Sequence, residues 1–281
     1  MLSYQHIYHA GNFADVHKHT VLCLLLEALS VKEKPFFVLD AFAGRGGYEF
    51  DSDEAEKTGE YHLGIERLWG AGELPELMRG YLDAVGRYNG NDRHATLCRY
   101  PGSPWLIRDS LRPQDRMALC ELHPGEFEAL RQVIRAEKRV QLLKRDAIEG
   151  VKGLLPPKER RGLLLVDPSY ESKSEYVTIA ETIVATYRHW REGTYAIWYP
   201  ILPAANHEKL RTALKRSGIR KILDCSLSVD AEREGMFGTG MLVINPPWKL
   251  KEKMELLSPF LWKVLARDRQ GSYGVKWLVS E

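Results

Sequence analysis

Five short apolar runs do most to limit what this chain folds into: residues 36–40 (FFVLD), 117–123 (MALCELH), 140–146 (VQLLKRD), 162–168 (GLLLVDP) and 194–200 (TYAIWYP). Each is almost continuously apolar and stops at polar or turn-forming residues. The later ones are separated by stretches of helical period, 125–135 and 174–190. A strand apolar on both sides needs cover on both sides, so the alternation predicts an α/β fold with a doubly wound, mainly parallel sheet. Two more apolar runs at 221–229 and 240–245, a helix near 249–265 and a last strand at 275–279 extend it. Ahead of the first strand, 12–29 reads as a helix that ends near Ser30. Asn12 suits its cap, and Asp15 lies in the first turn, where the helix dipole favours an anion.

More than 70 residues separate the first strand from the second, whereas a βαβ crossover needs about 30 in all, so a segment is inserted. Within it Leu74, Leu77, Met78, Tyr81, Leu82 and Val85 recur at helical spacing, with Pro75 suited to a helix start. Residues 48–100 are therefore expected to form a helical insertion subdomain, leaving 1–47 and 101–281 as the core of a single domain. The charges divide at the same place. The whole chain carries 40 Lys+Arg against 38 Asp+Glu, a net of +2, which excludes a strongly basic nucleic-acid coat. The insert holds 6 basic and 11 acidic residues, and the rest 34 and 27. A net +7 body thus carries a −5 lobe. Four scattered cysteines without a Cys-x-x-Cys pair, no leader-like start and no apolar run near the roughly 20 residues of a membrane span predict a cytoplasmic protein with reduced thiols.

Chemistry gathers at the strand ends. The first strand runs into Asp40-Ala-Phe-Ala-Gly-Arg-Gly-Gly47, a turn that lets backbone approach a ligand at the carboxyl edge of the sheet. It fails as a dinucleotide fingerprint, since Glu49 stands at the third glycine position. The D-x-F-x-G-x-G form, which includes Gly44, resembles the first motif of S-adenosylmethionine-dependent methyltransferases. Glu121 ends the second strand and Asp146 the third, and an acid after the second strand suits ribose hydroxyls. The fourth strand ends in Asp167-Pro-Ser-Tyr170, which resembles the [DN]-P-P-[YFW] motif of methyltransferases acting on exocyclic base amines, with Ser169 in place of the second proline. An aryl amine is a poor nucleophile because its lone pair is delocalised. If the Asp167 carboxylate and the Pro168 carbonyl each accept an N–H, the nitrogen pyramidalises and the charge growing on it is stabilised. Tyr170 adds an aromatic face for the base, worth about 1–3 kcal/mol by stacking. Asn245-Pro-Pro-Trp248 fits the same pattern without mismatch, but too few strands follow it, and a structural turn is expected there.

The segment SYQHIYHAGNFADVHKH crowds Tyr4, His6, His9, Lys18 and His19 together. His6 and His9 have a metal-like spacing, but no cysteine is near, and no metal is expected. This cluster, YPGSP at 100–104 and GMLVINPPWKL near the end closely resemble the bacterial 23S ribosomal RNA adenine-N6 methyltransferase J family over essentially the whole chain. The resemblance implies a Rossmann-like methyltransferase fold with a helical subdomain inserted after the first strand. It also implies methylation of one adenine N6 in 23S rRNA from S-adenosyl-L-methionine without a metal. Carried over by motif, cofactor contacts fall on His19, Phe42, Ser103, Glu121, Asp146 and Ala147. Phe42 stands where some relatives have histidine, which leaves backbone or van der Waals contact at that position. Asp167 takes the catalytic role, while Tyr4, His6 and Lys18 match substrate-side positions, Lys18 facing a phosphate or the base. A monomer is expected. Two other readings stay open: a DNA adenine or cytosine-N4 methyltransferase, since the amine motif is indifferent to the sugar, and a non-catalytic nucleic-acid-binding protein linked to use of external DNA.

Overall fold

The computed structural model describes residues 5–90, 96–135, 137–231 and 235–281. Helix α1 (Phe13–Ser30) comes first, capped by Asn12, whose side chain accepts the Ala14 and Asp15 N–H groups that the first turn leaves unpaired. Strand β1 (Phe37–Asp40) leads into the glycine turn and the three-residue β2 (Gly47–Glu49). The insert then supplies α2 (Asp53–Thr58), α3 (Ile65–Trp69) and α4 (Arg79–Tyr88) before β3 (Arg99–Pro101). From there the chain alternates: α5 (Ser103–Ser110), β4 (Arg116–Cys120), α6 (Pro124–Ile134), β5 (Val140–Leu143), α7 (Ala147–Leu154), β6 (Gly162–Val166), α8 (Glu175–His189), β7 (Thr194–Ile201) and α9 (His207–Arg216). It closes with β8 (Ile222–Ser228), β9 (Gly238–Ile244), α10 (Leu250–Leu265) and β10 (Ser272–Val279).

Eight strands form one sheet in the order β10-β8-β9-β7-β6-β1-β4-β5, parallel from β7 to β5 and antiparallel at β9 and β10. Successive side chains serve opposite faces. Val38, Leu163 and Leu165 face a core shared with α1, α5, α6 and α10, whereas Leu39, Leu164 and Val166 face one built on α7, α8 and α9. The sheet is thus doubly wound, as the apolar runs predict. The order reverses at β1, between β4 and β6, which opens a crevice at the carboxyl ends of these strands.

The excursion from 48 to 100 leaves and returns side by side, because β2 pairs antiparallel with β3, Gly47 opposite Pro101. Its buried Ile65, Leu68, Met78, Tyr81, Leu82 and Val85 belong to the same apolar cluster as Val21, Leu22 and Leu25 of α1. The expected helix from Pro75 is shorter than its periodicity. Pro75 stays extended (ψ 140°), a 3-10 turn covers Glu76–Met78, and only then does α4 begin. Asn245 sits at the opposite edge of the sheet from the crevice. Its side-chain amide donates to Arg191 O and Gly193 O, the structural turn anticipated for that motif. Among the described residues no helix is long and apolar enough to cross a membrane, and the four cysteines are free.

Candidate active site

Asp40, Glu121 and Asp167 follow or close β1, β4 and β6, and the latter two line a cavity of about 580 Å³ between the sheet edge and the start of α1. A cavity of this size holds a drug-sized ligand. Asp40 is fully buried, with Oδ2 accepting from Ser103 Oγ at 2.7 Å and Oδ1 from the Phe42 N–H. Burial, helped by the nearby Asp167 charge, pushes the Asp40 carboxyl up to about 7 against those two hydrogen bonds.

The glycine turn builds one wall. Gly44 and Gly46 take φ of +61° and +82°, open to glycine at no steric cost. The turn directs the Gly44 N–H onto Glu121 Oε2 at 2.9 Å, while the His123 N–H meets Oε1 at 2.6 Å. Burial raises the pKa of Glu121, and the two N–H groups oppose that rise. Arg45 grips Glu126 of α6 through Nε and Nη2, at 2.9 and 2.6 Å. The Gly102 N–H donates to Gly46 O, which brings Ser103 at the head of α5 to the same wall.

The opposite wall is the first turn of α1. Asp15, 1% exposed, accepts from His6 Nε2 and the Gly11 N–H, each at 2.9 Å, and pairs with Lys18 Nζ at 2.8 Å. Lys18 reaches across the cavity to Asp167 Oδ2 at 2.5 Å and lies 5.9 Å from the centre of the Trp198 ring. Burial alone would neutralise Asp15, but the His6 imidazole and the Lys18 ammonium hold its carboxyl well below the usual range. Burial likewise opposes the Lys18 charge, and the two carboxylates outweigh it, so the ammonium is held above its ordinary pKa. His9 pairs with Glu60 of the insert, which also accepts from Asn12 Nδ2. Both histidines of the metal-like spacing are thus engaged with carboxylates, and among the described residues no three His, Cys, Asp or Glu side chains gather as a metal site.

Asp167, Pro168, Ser169 and Tyr170 all line the cavity. Asp167 Oδ1 has no hydrogen-bond partner among the described residues, while Oδ2 is held by Lys18. Tyr170 takes φ +53°, rare for a bulky side chain. Two contacts fix it there: its hydroxyl donates to Trp198 O at 2.7 Å, and its ring stacks on Tyr176 at 4.1 Å.

The cavity also brings together His6, Lys18, His19, Phe42, Gly44 and Ser103. His19 is buried, with Nδ1 hydrogen-bonded to the Tyr100 hydroxyl at 2.7 Å and Nε2 unpartnered among the described residues. Burial, with the Lys18 charge, lowers its pKa to about 3 and keeps the ring neutral. Four of the expected positions stand differently from the rest. Tyr4 lies outside the described residues. Asp146 is not among the residues that line the cavity, and its Oδ1 caps α7 by accepting the Ile148 and Glu149 N–H groups. Ala147 lines a small apolar recess beside the cavity, shared with Phe42, Ile148 and Val151. Lys18, at 4% exposure and bonded to two carboxylates, is not placed to meet a phosphate. Sequence reasoning passed over Asp15 as a cap-region acid, although its i, i+3 spacing to Lys18 was readable. It had no local signal for Trp198 or for Tyr100 as the partner of His19.

A family model described as ribosomal RNA large subunit methyltransferase D, RlmJ, matches residues 33–279. Two curated relatives, each a ribosomal RNA large subunit methyltransferase J, align over 283 positions and the full length of both chains. One, from Haemophilus influenzae, is 44% identical, and the other, from Escherichia coli, is 43% identical. A crystal structure of a Legionella pneumophila protein superposes with a TM-score of 0.89 at 36% identity, covering 96% of this chain and 98% of that one.

Proposed function

Since the chain belongs to the ribosomal RNA large subunit methyltransferase family described as RlmJ, we propose that it methylates the N6 amine of an adenine in 23S rRNA, with Asp167 as the catalytic acceptor. The single observation that carries the residue assignment is Asp167 itself: one oxygen is fixed by a buried ammonium and the other is left open toward a cavity large enough for a cofactor and a base.

The donor set fits S-adenosyl-L-methionine. Glu121, with both oxygens aligned by backbone N–H groups, presents acceptors for two ribose hydroxyls. The buried His19 Nε2, unpartnered among the described residues, and the Gly44 to Gly46 turn suit the polar and backbone contacts of a nucleoside carrying an amino-acid tail. Phe42 supplies apolar contact, and Ala147 flanks it in the adjoining recess. When bound, the cofactor supplies an electrophilic methyl on a sulfonium.

The remaining work belongs to the protein. Asp167 Oδ1 and the Pro168 carbonyl accept the two N–H bonds of the adenine amine and free its lone pair for in-line attack. Lys18 holds the Asp167 carboxylate at one orientation, and Asp15 with His6 holds Lys18 in place. Tyr170, fixed by Tyr176 and Trp198, forms a rigid aromatic wall for the base. Residues 48–100 act as a helical insertion subdomain on the core of 1–47 and 101–281, an assignment supported by the pairing of their ends at β2 and β3.

The test is transfer of labelled methyl to unmodified 23S rRNA, with DNA as the control substrate and the product mapped by mass spectrometry. Asp167→Ala should lose activity by about 10²–10⁴-fold while S-adenosylmethionine binding by calorimetry stays within about twofold. Asp167→Asn serves as a shape-conserving check. Normal turnover by Asp167→Ala overturns the catalytic assignment, and methylation of DNA in place of rRNA overturns the substrate.

A further inference from the structure

A chain of three buried side chains joins the insert to the cofactor side of the cavity. Tyr81 of α4 lies 2.8 Å, hydroxyl to hydroxyl, from Tyr100 of β3, and the Tyr100 hydroxyl lies 2.7 Å from His19 Nδ1. All three residues are at most 1% exposed. Among the described residues the Tyr81 hydroxyl has Tyr100 as its one hydrogen-bond partner, and the Tyr100 hydroxyl has only Tyr81 and His19.

The protons can be counted. Two gaps separate the three polar atoms, and each takes one proton. The two hydroxyls supply two, which fills both gaps if Tyr81 donates to Tyr100 and Tyr100 donates to Nδ1. A ring protonated at Nδ1 would add a third proton and leave one buried hydroxyl with no acceptor among the described residues, which is costly. The imidazole is neutral here, so one nitrogen carries the hydrogen.

We infer that Tyr81 and Tyr100 are positioning residues that hold His19 as its Nε2–H tautomer, leaving a hydrogen-bond donor as the one unspent polar group of a ring that lines the cavity. The ligand group that meets His19 is then an acceptor, a carboxylate or hydroxyl oxygen of the cofactor, and not an ammonium. The helical insert thereby sets a proton position in the cofactor site through Tyr81, a side chain that does not itself line the cavity. This rests on the reading of His19 as a cofactor-side residue.

Long-range proton–nitrogen correlation spectra of the full chain, carrying ring-¹⁵N histidine, separate the two tautomers by the pattern of ring cross-peaks, with His19→Ala assigning the signal. Wild type should show the Nε2–H pattern for His19. Tyr81→Phe/Tyr100→Phe, which removes both hydroxyls so that neither is stranded, should show a mixture of tautomers. Its affinity for S-adenosylmethionine should fall about twofold, the cost of a donor form populated near one half. An Nδ1–H ring in wild type, or an unchanged Nε2–H ring in the double variant, overturns the inference. If His19→Ala binds S-adenosylmethionine as tightly as wild type, the cofactor-side reading fails instead, a result distinct from the tautomer measured on the unliganded protein.

Discussion

Lys18 and Asp40 show how burial reassigns a charged side chain. From sequence, Lys18 was a cation near a substrate, free to meet a phosphate or a base. In the fold its ammonium is closed between Asp15 and Asp167, so it serves the carboxylate proposed as the acceptor. That Asp167 lines the cavity was legible because it follows a strand whose carboxyl end opens on the crevice. The Asp15–Lys18–Asp167 link was not, since Lys18 and Asp167 are 149 residues apart. Asp40 was read as part of a glycine motif, and its environment gives it a titration near neutrality. Its folded pKa of about 7 lies above the ordinary 3.8, so the stability it contributes is full below pH 4, falls as pH rises toward 7 and is lost above that. Asp40→Asn does not titrate. Across a pH series of urea unfolding curves, wild type should therefore lose stability relative to Asp40→Asn between pH 4 and 7, by at most about 4 kcal/mol, and then level off. A difference that stays flat over that range would refute a protonatable Asp40.

At the scale of elements, the apolar runs located the strands because a parallel sheet covered on both faces leaves a continuous hydrophobic signature. The three-residue β2 and β3 left none, and the periodic stretch around Leu77 and Met78 concealed a 3-10 turn, because side-chain period does not report where Pro75 lets the helix begin. Close approach between elements was equally hidden. Gly64, just before α3, packs against the backbone ahead of α1, where a Cβ would lie 2.0 Å from Gly11 O, and the Ile65 N–H donates to that same oxygen. Gly64→Ala must push α3 away from the segment that holds His9 and Asn12. The expected loss is about 3 kcal/mol of unfolding free energy, measured by denaturant titration. An unchanged midpoint would show that the contact yields without cost.

For the whole molecule, a net charge of +2 looked uninformative until it was divided into a body of +7 and an insert of −5. The removal of Lys18 from the surface places the burden of phosphate contact on other cations. Arg267 lines the cavity, is partly exposed and pairs with Asp230 at 3.8 Å. The acidic α2 is expected to stay in solvent. Reversing Glu54 and Glu56 to lysine should then change rRNA affinity by less than about twofold at moderate salt, in a filter-binding titration, and leave the salt slope near its original value. A large gain in affinity would mean that the lobe faces the RNA. The lobe is also not an independent body, since its buried side chains share one apolar cluster with α1 and α10.

Trp198 gives the molecule an optical readout of its own. Of the seven tryptophans it alone lines the cavity, with its ring 5.9 Å from the Lys18 ammonium and its carbonyl bound to the Tyr170 hydroxyl. Indole emission responds to a nearby charge and to water, so filling the cavity with S-adenosylmethionine or an adenine nucleotide should shift or quench the fluorescence of the unlabelled protein. Trp198→Phe should abolish that change, whereas a response that survives the substitution would come from one of the other six.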